Sequence, residues 1–332
     1  MRDTPPNLVI LPPAVTDAPL SPPSPGARAL DLAGESMGTT WSVRLFAPPE
    51  LSGAALRGAI TAELARIIAL FSPWVADSEV SRLNAAPEEE LTVSPGFRAL
   101  LAPLMEIAAQ TGGASDPTLG ALTDLWGFGP PGPRQAPPAA AEIDRARAVS
   151  GWRRVSLEGT RLRRPPGMRF DFSGSAKGLA VDLISRALTG IGAGHHLVEI
   201  GGECFARGLK PDMRPWWVAI EQPPELPRVL VALNGHGLAT SGDERCFRHG
   251  GRRYAHTIDP STGWPAENDL TQVSVIAADT MQADALASAL MVMGAERALD
   301  HARRHGIAAL MLRHGGARIL TPAMERMTGD DG

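Results

Sequence analysis

Asp171-Phe172-Ser173-Gly174-Ser175-Ala176-Lys177-Gly178 sits where one kind of pattern gives way to another. Residues 168–172 before it read as a strand. Residues 176–188 read as a helix, and residues 196–200 read as a strand again. Working outward, strands are expected at 154–157, 216–220, 229–233, 253–258, 273–277, 308–312 and 317–320, and near the start at 40–46. Leu56, Ile60, Leu64, Ile67 and Phe71 recur at helical spacing, which predicts an amphipathic helix over 54–71. Further helices are expected at 97–110, closed by Gly112-Gly113, near 282–293 and at 295–305. Many strands with helices set between them and short turns indicate an α+β fold with largely antiparallel sheet. No fixed-period repeat is present.

The chain has 332 residues, enough for one large domain or two lobes, with 44% apolar and 20% charged residues as in an ordinary globular protein. A formal net charge of −4 argues against nucleic acid as a bulk partner. Lys177 and Lys210 are the only lysines among 32 basic residues. The two cysteines, Cys204 and Cys246, lack C-x-x-C spacing and read as free thiols or one disulfide. No run approaches the ~18 apolar residues of a membrane helix. Leu8-Val-Ile-Leu11 is too short for a signal core, so the expected compartment is cytoplasmic, or periplasmic if an export signal has been removed. Eight prolines before residue 31 suggest a disordered tail over 1–32, ahead of one domain over 33–322 and a short tail over 323–332. The Pro/Gly-rich residues 127–138 read as a surface loop.

Several motifs carry chemistry. Gly34-Glu-Ser36-Met37-Gly38 matches G-x-S-x-G, but no strand-to-helix context surrounds it, so a serine-hydrolase elbow is rejected. Gly190-Ile-Gly192-Ala-Gly194 follows a helix rather than opening one, so a dinucleotide loop is rejected too. In the strand-to-helix junction, small residues admit a ligand to the backbone and the helix N-terminus favours an anion. Lys177 in the first turn opposes the helix dipole, so it reads as a partner for a phosphate or carboxylate, or as a solvated lysine. Glu199-Ile200-Gly201-Gly202-Glu203 reads as a strand end open to a flat ligand, and Thr240-Ser241-Gly242-Asp243 as a turn. Asp116, in Gly113-Ala114-Ser115-Asp116-Pro117, reads as the acid of an Asp-Pro turn. Tyr254-Ala-His256-Thr-Ile258-Asp259-Pro260 places an acid/base candidate on a strand entering a Pro/Gly turn that continues to Pro265. Asp284 and Ser288 stand at i and i+4 on one helix face: hard oxygen ligands for Mg²⁺, or a dipole partner and a packing residue.

Taken in order, Glu35 to Thr39, Phe71 to Trp74 with Asp77 to Asn84, Gly113 to Thr118 with Trp126 to Gly129, Asp171 to Asp182, Val198 to Gly202, Thr240 to Asp243, His256 to Pro265 and Asp284 to Ser288 resemble the ApbE family, the FAD:protein FMN transferases. The resemblance covers about residues 33–320. It implies a T-fold-like α+β architecture of mixed, largely antiparallel sheets and packed helices, with two lobes around a central FAD cleft. It also implies a reaction. FAD binds with Mg²⁺ at its pyrophosphate, a Thr or Ser of an acceptor flavoprotein attacks the FMN-side phosphorus, and AMP leaves. Carried over residue by residue, the family's FAD contacts fall on Met37, Trp74, Ala114, Ser115, Asp116, Asp171, Lys177 and Ile258. Its metal ligands fall on Gly174, through the carbonyl, and on Asp284 and Ser288. His256 is the candidate base and Asp284 the second catalytic candidate.

This sequence departs from the family pattern at four places. Ser115 stands for a usual Phe, Trp74 for a Tyr that it can replace in stacking, Ser288 for a Thr, and Glu244 for a common aromatic. The same site would also serve an FAD pyrophosphatase that uses water, and an FAD-storing module without turnover would need no metal ligands.

Overall fold

The structure, a computed structural model, describes residues 8–15 and 18–328. Eight strands form one sheet whose spatial order is also the chain order: Arg28–Ser36, Thr39–Ala47, His195–Ile200, Glu203–Arg207, His236–Gly242, Leu270–Ala277, Ala308–Arg313 and Arg318–Leu320. Every neighbouring pair is antiparallel. The α+β expectation therefore holds.

Side chains alternate across this sheet with period two, and both faces are covered. Val198, Val273, Val275, Ala309 and Met311 join a core with the helices Gly53–Phe71, Pro95–Gln110, Ala176–Gly190 and Thr280–Met293. Leu197, Ile276, Ala308 and Leu310 point the other way. There they meet a small sheet in which Val229–Leu233 pairs parallel with Leu8–Ile10 and antiparallel with Trp216–Ile220. A third cluster gathers Leu122, Trp126, Phe128, Ile143, Tyr254 and Ile258. Trp126 stacks on Tyr254 with ring centroids 5.6 Å apart and donates from Nε1 to the Gly263 carbonyl at 2.8 Å. This bond fastens the 259–265 turn to the aromatic cluster.

The Thr280–Met293 helix is positioned at its N-terminus by close backbone approach. A Cβ on Gly178 would lie 2.5 Å from the Thr280 carbonyl oxygen, and one on Gly237 would lie 2.5 Å from the Thr280 nitrogen. Only glycine admits that wedge between helix and strand. Asp182 accepts from the Thr280 and Met281 N–H groups at 2.8 and 3.0 Å, satisfying two donors of the first turn. Burial pushes its carboxyl up to about 6 against the lowering effect of those bonds.

Several expectations need correction. The Pro-rich stretch expected as a tail over 1–32 contains a strand at Leu8–Ile10, with Ile10 fully buried, and most of the edge strand Arg28–Ser36. Prolines flank these segments, so the apolar runs between them remain free to pair. Residues 1–7 and 16–17 of that stretch lie outside the described residues. The expected tail over 323–332 begins inside the Pro322–Glu325 helix, with Met324 fully buried, and residues 329–332 lie outside the described residues. Residues 168–172 are extended but make only one bridge, Arg169 to Leu119. Phe170 and Phe172 pack into the main core with the helices rather than against a neighbouring strand, and Met168 is fully buried as well. Gly201-Gly202 stands at the end of the strand His195–Ile200, as expected, and turns the chain directly into the strand Glu203–Arg207. Thr240, Ser241 and Gly242 lie within a strand, not a turn. The strand expected over 253–258 stops at Ala255. Met37 and Gly38, with φ of 53° and 73°, form the two-residue turn joining Arg28–Ser36 to Thr39–Ala47. Ser36 thus ends a hairpin strand, as the rejection of the hydrolase elbow requires. Both cysteines are free thiols.

Candidate active site

A cleft of about 300 Å³ opens between the aromatic cluster and the start of the Ala176–Gly190 helix. Three chain segments supply most of its wall: 114–117, 171–177 and 256–258. Leu104, Leu119, Thr123, Phe128, Arg245, Ser288 and Val292 complete it.

The first segment is set by Asp116. Its Oδ1 accepts from the Thr118 N–H and hydroxyl at 2.8 and 2.7 Å, and its Oδ2 accepts from the Trp152 N–H at 3.1 Å. Burial raises the Asp116 carboxyl above its ordinary range, while these bonds oppose the rise. The second segment is set by Asp171. Its Oδ1 accepts from the Ser173 N–H and hydroxyl at 2.9 and 2.6 Å, and its Oδ2 accepts from the Thr123 hydroxyl at 2.7 Å. The resulting turn delivers Gly174, Ser175 and Lys177 to the cleft at a helix N-terminus, whose dipole favours an anion, although the Ala176 N–H already donates to the Phe172 carbonyl at 2.8 Å and the Gly178 N–H to Asp284 Oδ2 at 3.2 Å.

Lys177 Nζ pairs with Glu203 Oε1 at 2.7 Å. Burial disfavours its charge, but the carboxylates of Glu203, Asp284 and Glu199 outweigh that and raise the amine overall, so it is an ammonium. Burial, and then the nearby Asp284 charge, push Glu203 up. Burial likewise raises Asp284 to about 6 against the pull of Lys177. The pocket behind the wall thus holds two acidic groups around one cation.

His256 faces the cleft from the opposite wall. Its Nδ1 lies 3.2 Å from the Arg245 carbonyl, which can only accept, so Nδ1 carries the hydrogen and Nε2 keeps its lone pair. Burial lowers its pKa below 6.5, helped by the neighbouring Arg245 charge. A neutral imidazole with a free Nε2 can take a proton. Arg245 lines the same wall, with Nη2 donating to the Phe128 carbonyl at 2.9 Å and its guanidinium 5.8 Å from the Phe128 ring centre.

Oxygen groups gather at and just behind the floor, with Ser288 lining the cleft and Asp284 buried behind it. Asp284 and Ser288 lie one turn apart on the Thr280–Met293 helix. Asp284 Oδ2 accepts from the Gly178 N–H at 3.2 Å. Ser288 Oγ is 3.0 Å from Ser241 Oγ, and a Cβ on Gly174 would stand 3.1 Å from it. A carboxylate, hydroxyls and a backbone carbonyl make a hard-oxygen set that fits Mg²⁺, an ion that keeps most of its sites for water and phosphate. Among the described residues no cluster of three or more His, Cys, Asp or Glu side chains could hold a metal.

With this geometry in place, comparison with known proteins is decisive. The family model described as "ApbE family" matches residues 37–311. The chain belongs to the ApbE family. An FAD:protein FMN transferase of Klebsiella pneumoniae is 35% identical over 306 residues, covering 89% of this chain and 87% of that protein. One from Vibrio cholerae is 36% identical over 293 residues, covering 86% and 88%. The crystal structure of Pseudomonas stutzeri flavinyl transferase ApbE in its apo form superposes with a TM-score of 0.87 at 38% identity, covering 92% of this chain and 98% of that one. The flavin transferase ApbE from Vibrio cholerae gives 0.84 at 33%, covering 91% and 99%. These solved ApbE structures share the α+β architecture described above.

Of the residues picked from the ApbE pattern, Ala114, Ser115, Asp116, Asp171, Gly174, Lys177, His256, Ile258 and Ser288 all line the one cleft. Asp284 is 4% exposed and does not line it. Trp74 is 56% exposed and stands at a small adjoining hollow that shares Thr123, Asp171 and Ser173 with the cleft. Met37 lies in its hairpin turn, packed on the main core, and does not line the cleft. Sequence reasoning passed over Thr123 and Arg245, and gave Ser173 and Ser241 no role beyond the motifs that contain them. Small hydroxyls and one arginine in an arginine-rich chain carry no local signal, and only their meeting in space marks them.

Proposed function

We propose that this protein is a Mg²⁺-dependent FAD:protein FMN transferase that joins FMN through a phosphoester to a Thr or Ser of an acceptor flavoprotein. The observation that carries this reading is one cleft, in a chain of this family, that sets a neutral His256 with a free Nε2, and Arg245 beside it, opposite Lys177 and a helix N-terminus. That arrangement suits a pyrophosphate and an attacking hydroxyl.

In the reaction FAD lies in the cleft with its pyrophosphate against Lys177 and Arg245, at the positive end of the Ala176–Gly190 helix dipole. These donors offset the charge that repels a nucleophile. Mg²⁺, held by Asp284, Ser288 and the Gly174 carbonyl, would supply further neutralisation of charge on the phosphate oxygens when bound. The acceptor hydroxyl gives its proton to His256 Nε2 as its oxygen bonds to the FMN-side phosphorus. The bridging P–O bond breaks, and AMP leaves with the bridging oxygen. The side chains of Ala114, Ser115, Asp116, Asp171 and Ile258 form the remaining contacts with FAD, with Trp74 and Met37 at its periphery.

The test is incubation with FAD, Mg²⁺ and an acceptor domain that carries a flavinylatable Thr, read by mass spectrometry. The expected outcome is covalent FMN on the acceptor and stoichiometric AMP, with both abolished by Asp284→Ala. AMP released at the same rate with no acceptor present would identify a pyrophosphatase instead. FAD binding with no AMP at all would identify a storage module. No helix among the described residues is long and apolar enough to cross a membrane.

A further inference from the structure

We propose that Glu203 is a positioning residue for this reaction: it holds the Lys177 ammonium at the cleft wall, aimed at the FAD phosphates. The inference rests on the FMN-transferase reading. Lys177 lies in the first turn of the Ala176–Gly190 helix, where the dipole repels a cation and where its long stem is free to turn to solvent. It does not turn away. Its Nζ sits 2.7 Å from Glu203 Oε1, and its side chain is 30% exposed whereas that of Glu203 is 2% exposed.

Glu203 is itself fixed. It is the first residue of its strand, in register with Ile200 across the Gly201-Gly202 turn, whose φ values of 59° and 101° suit glycine. Glu203 does not line the cleft and Lys177 does, so the carboxylate acts on a phosphate through the lysine. An ammonium has three N–H donors. One goes to Glu203, leaving the others for a ligand. Asp284 and Glu199 also act on this ammonium, but Glu203 is the group that pairs with it directly.

The arrangement is poor as a device for stability. Glu203 Oε2 is buried with no hydrogen-bond partner among the described residues. A buried carboxylate that is half satisfied costs more than an apolar pair of the same shape. Its orientation of Lys177 supplies the reason for its presence.

The experiment is a double-mutant cycle of Glu203→Gln and Lys177→Met. FAD affinity is read by flavin fluorescence without acceptor, and KM and kcat are read with acceptor. Glu203→Gln keeps the shape and removes the charge. It should raise the FAD dissociation constant and KM roughly tenfold while changing kcat less. In the Lys177→Met background it should weaken FAD no further. Wild-type affinity in Glu203→Gln, or an equal loss in both backgrounds, would overturn the inference. If Glu203→Gln alone fails to fold, Lys177→Met/Glu203→Gln is compared with Lys177→Met, and any further loss of affinity overturns it. Wild-type protein that binds no FAD would overturn the functional reading as well, which separates the two failures.

Discussion

His256 shows how much one hydrogen bond decides. The Arg245 carbonyl selects the tautomer, and burial keeps the ring neutral. A base whose pKa lies below 6.5 is ready at neutral pH and is lost on acidification. The transfer rate should therefore be flat around pH 7 and fall as pH drops, with its midpoint below 6.5. His256→Asn should lower kcat by about 10²-fold or more and abolish that acid limb, because general-base catalysis contributes about 10²–10⁴. A pH–rate profile of both proteins checks this, and an unchanged limb in the variant would assign it to another group.

At the scale of elements, the decisive contact is the wedge of Thr280 between Gly178 and Gly237. It sets the depth of the Thr280–Met293 helix and hence the height of Ser288 in the floor and of Asp284 behind it. Gly178→Ala forces backbone apart by its Cβ, so a cost of about 1–3 kcal/mol is expected. Its loss of transfer should exceed what the unfolded fraction explains, because Asp284 also accepts from the Gly178 N–H. Denaturant melts and transfer rates on the same samples check this. Asp182→Asn tests the cap on the same helix. An amide has one acceptor oxygen where the carboxylate uses two, leaving an N–H of Thr280 or Met281 unpaired at a cost of about 1–3 kcal/mol. Thermal unfolding at pH 7 reads that loss.

Across the whole molecule, stability should depend on acid through His196, which is fully buried in the sheet. Its Nδ1–H donates to the Ala193 carbonyl at 2.7 Å and its Nε2 accepts from the Ser185 hydroxyl at 2.8 Å. Burial lowers its pKa from 6.5 to about 4. A depressed folded pKa means that the unfolded chain binds the proton first. The contribution is thus fully present above pH 6.5 and is lost as pH falls toward 4. It amounts to up to about 3 kcal/mol. His196→Gln should be less stable at pH 7 and show a shallower fall across that window in urea titrations. An equal slope in both proteins would place the acid sensitivity elsewhere.

The residues themselves determined most of the elements and the list of chemical groups. Apolar spacing predicted the long helices and the strands expected at 196–200, 273–277 and 308–312, which fold as His195–Ile200, Leu270–Ala277 and Ala308–Arg313, because burial on a face imposes a period. The ordered motifs led to the family and to nine residues that meet in one cleft. Tertiary structure decided what periodicity does not encode. Alternation at Met168, Phe170 and Phe172 reports a buried side, not a strand partner, so a segment that packs on helices reads like a strand. Turn-type residues at 240–242 belong to a strand because their hydroxyls bond to Ser274 and Ser288 rather than to their own backbone. Only folding brings Glu203 on its strand to Lys177 on its helix, and Arg245 to His256 across the hairpin of Cys246–His249 and Arg252–Ala255, since such pairs depend on tertiary packing and strand register.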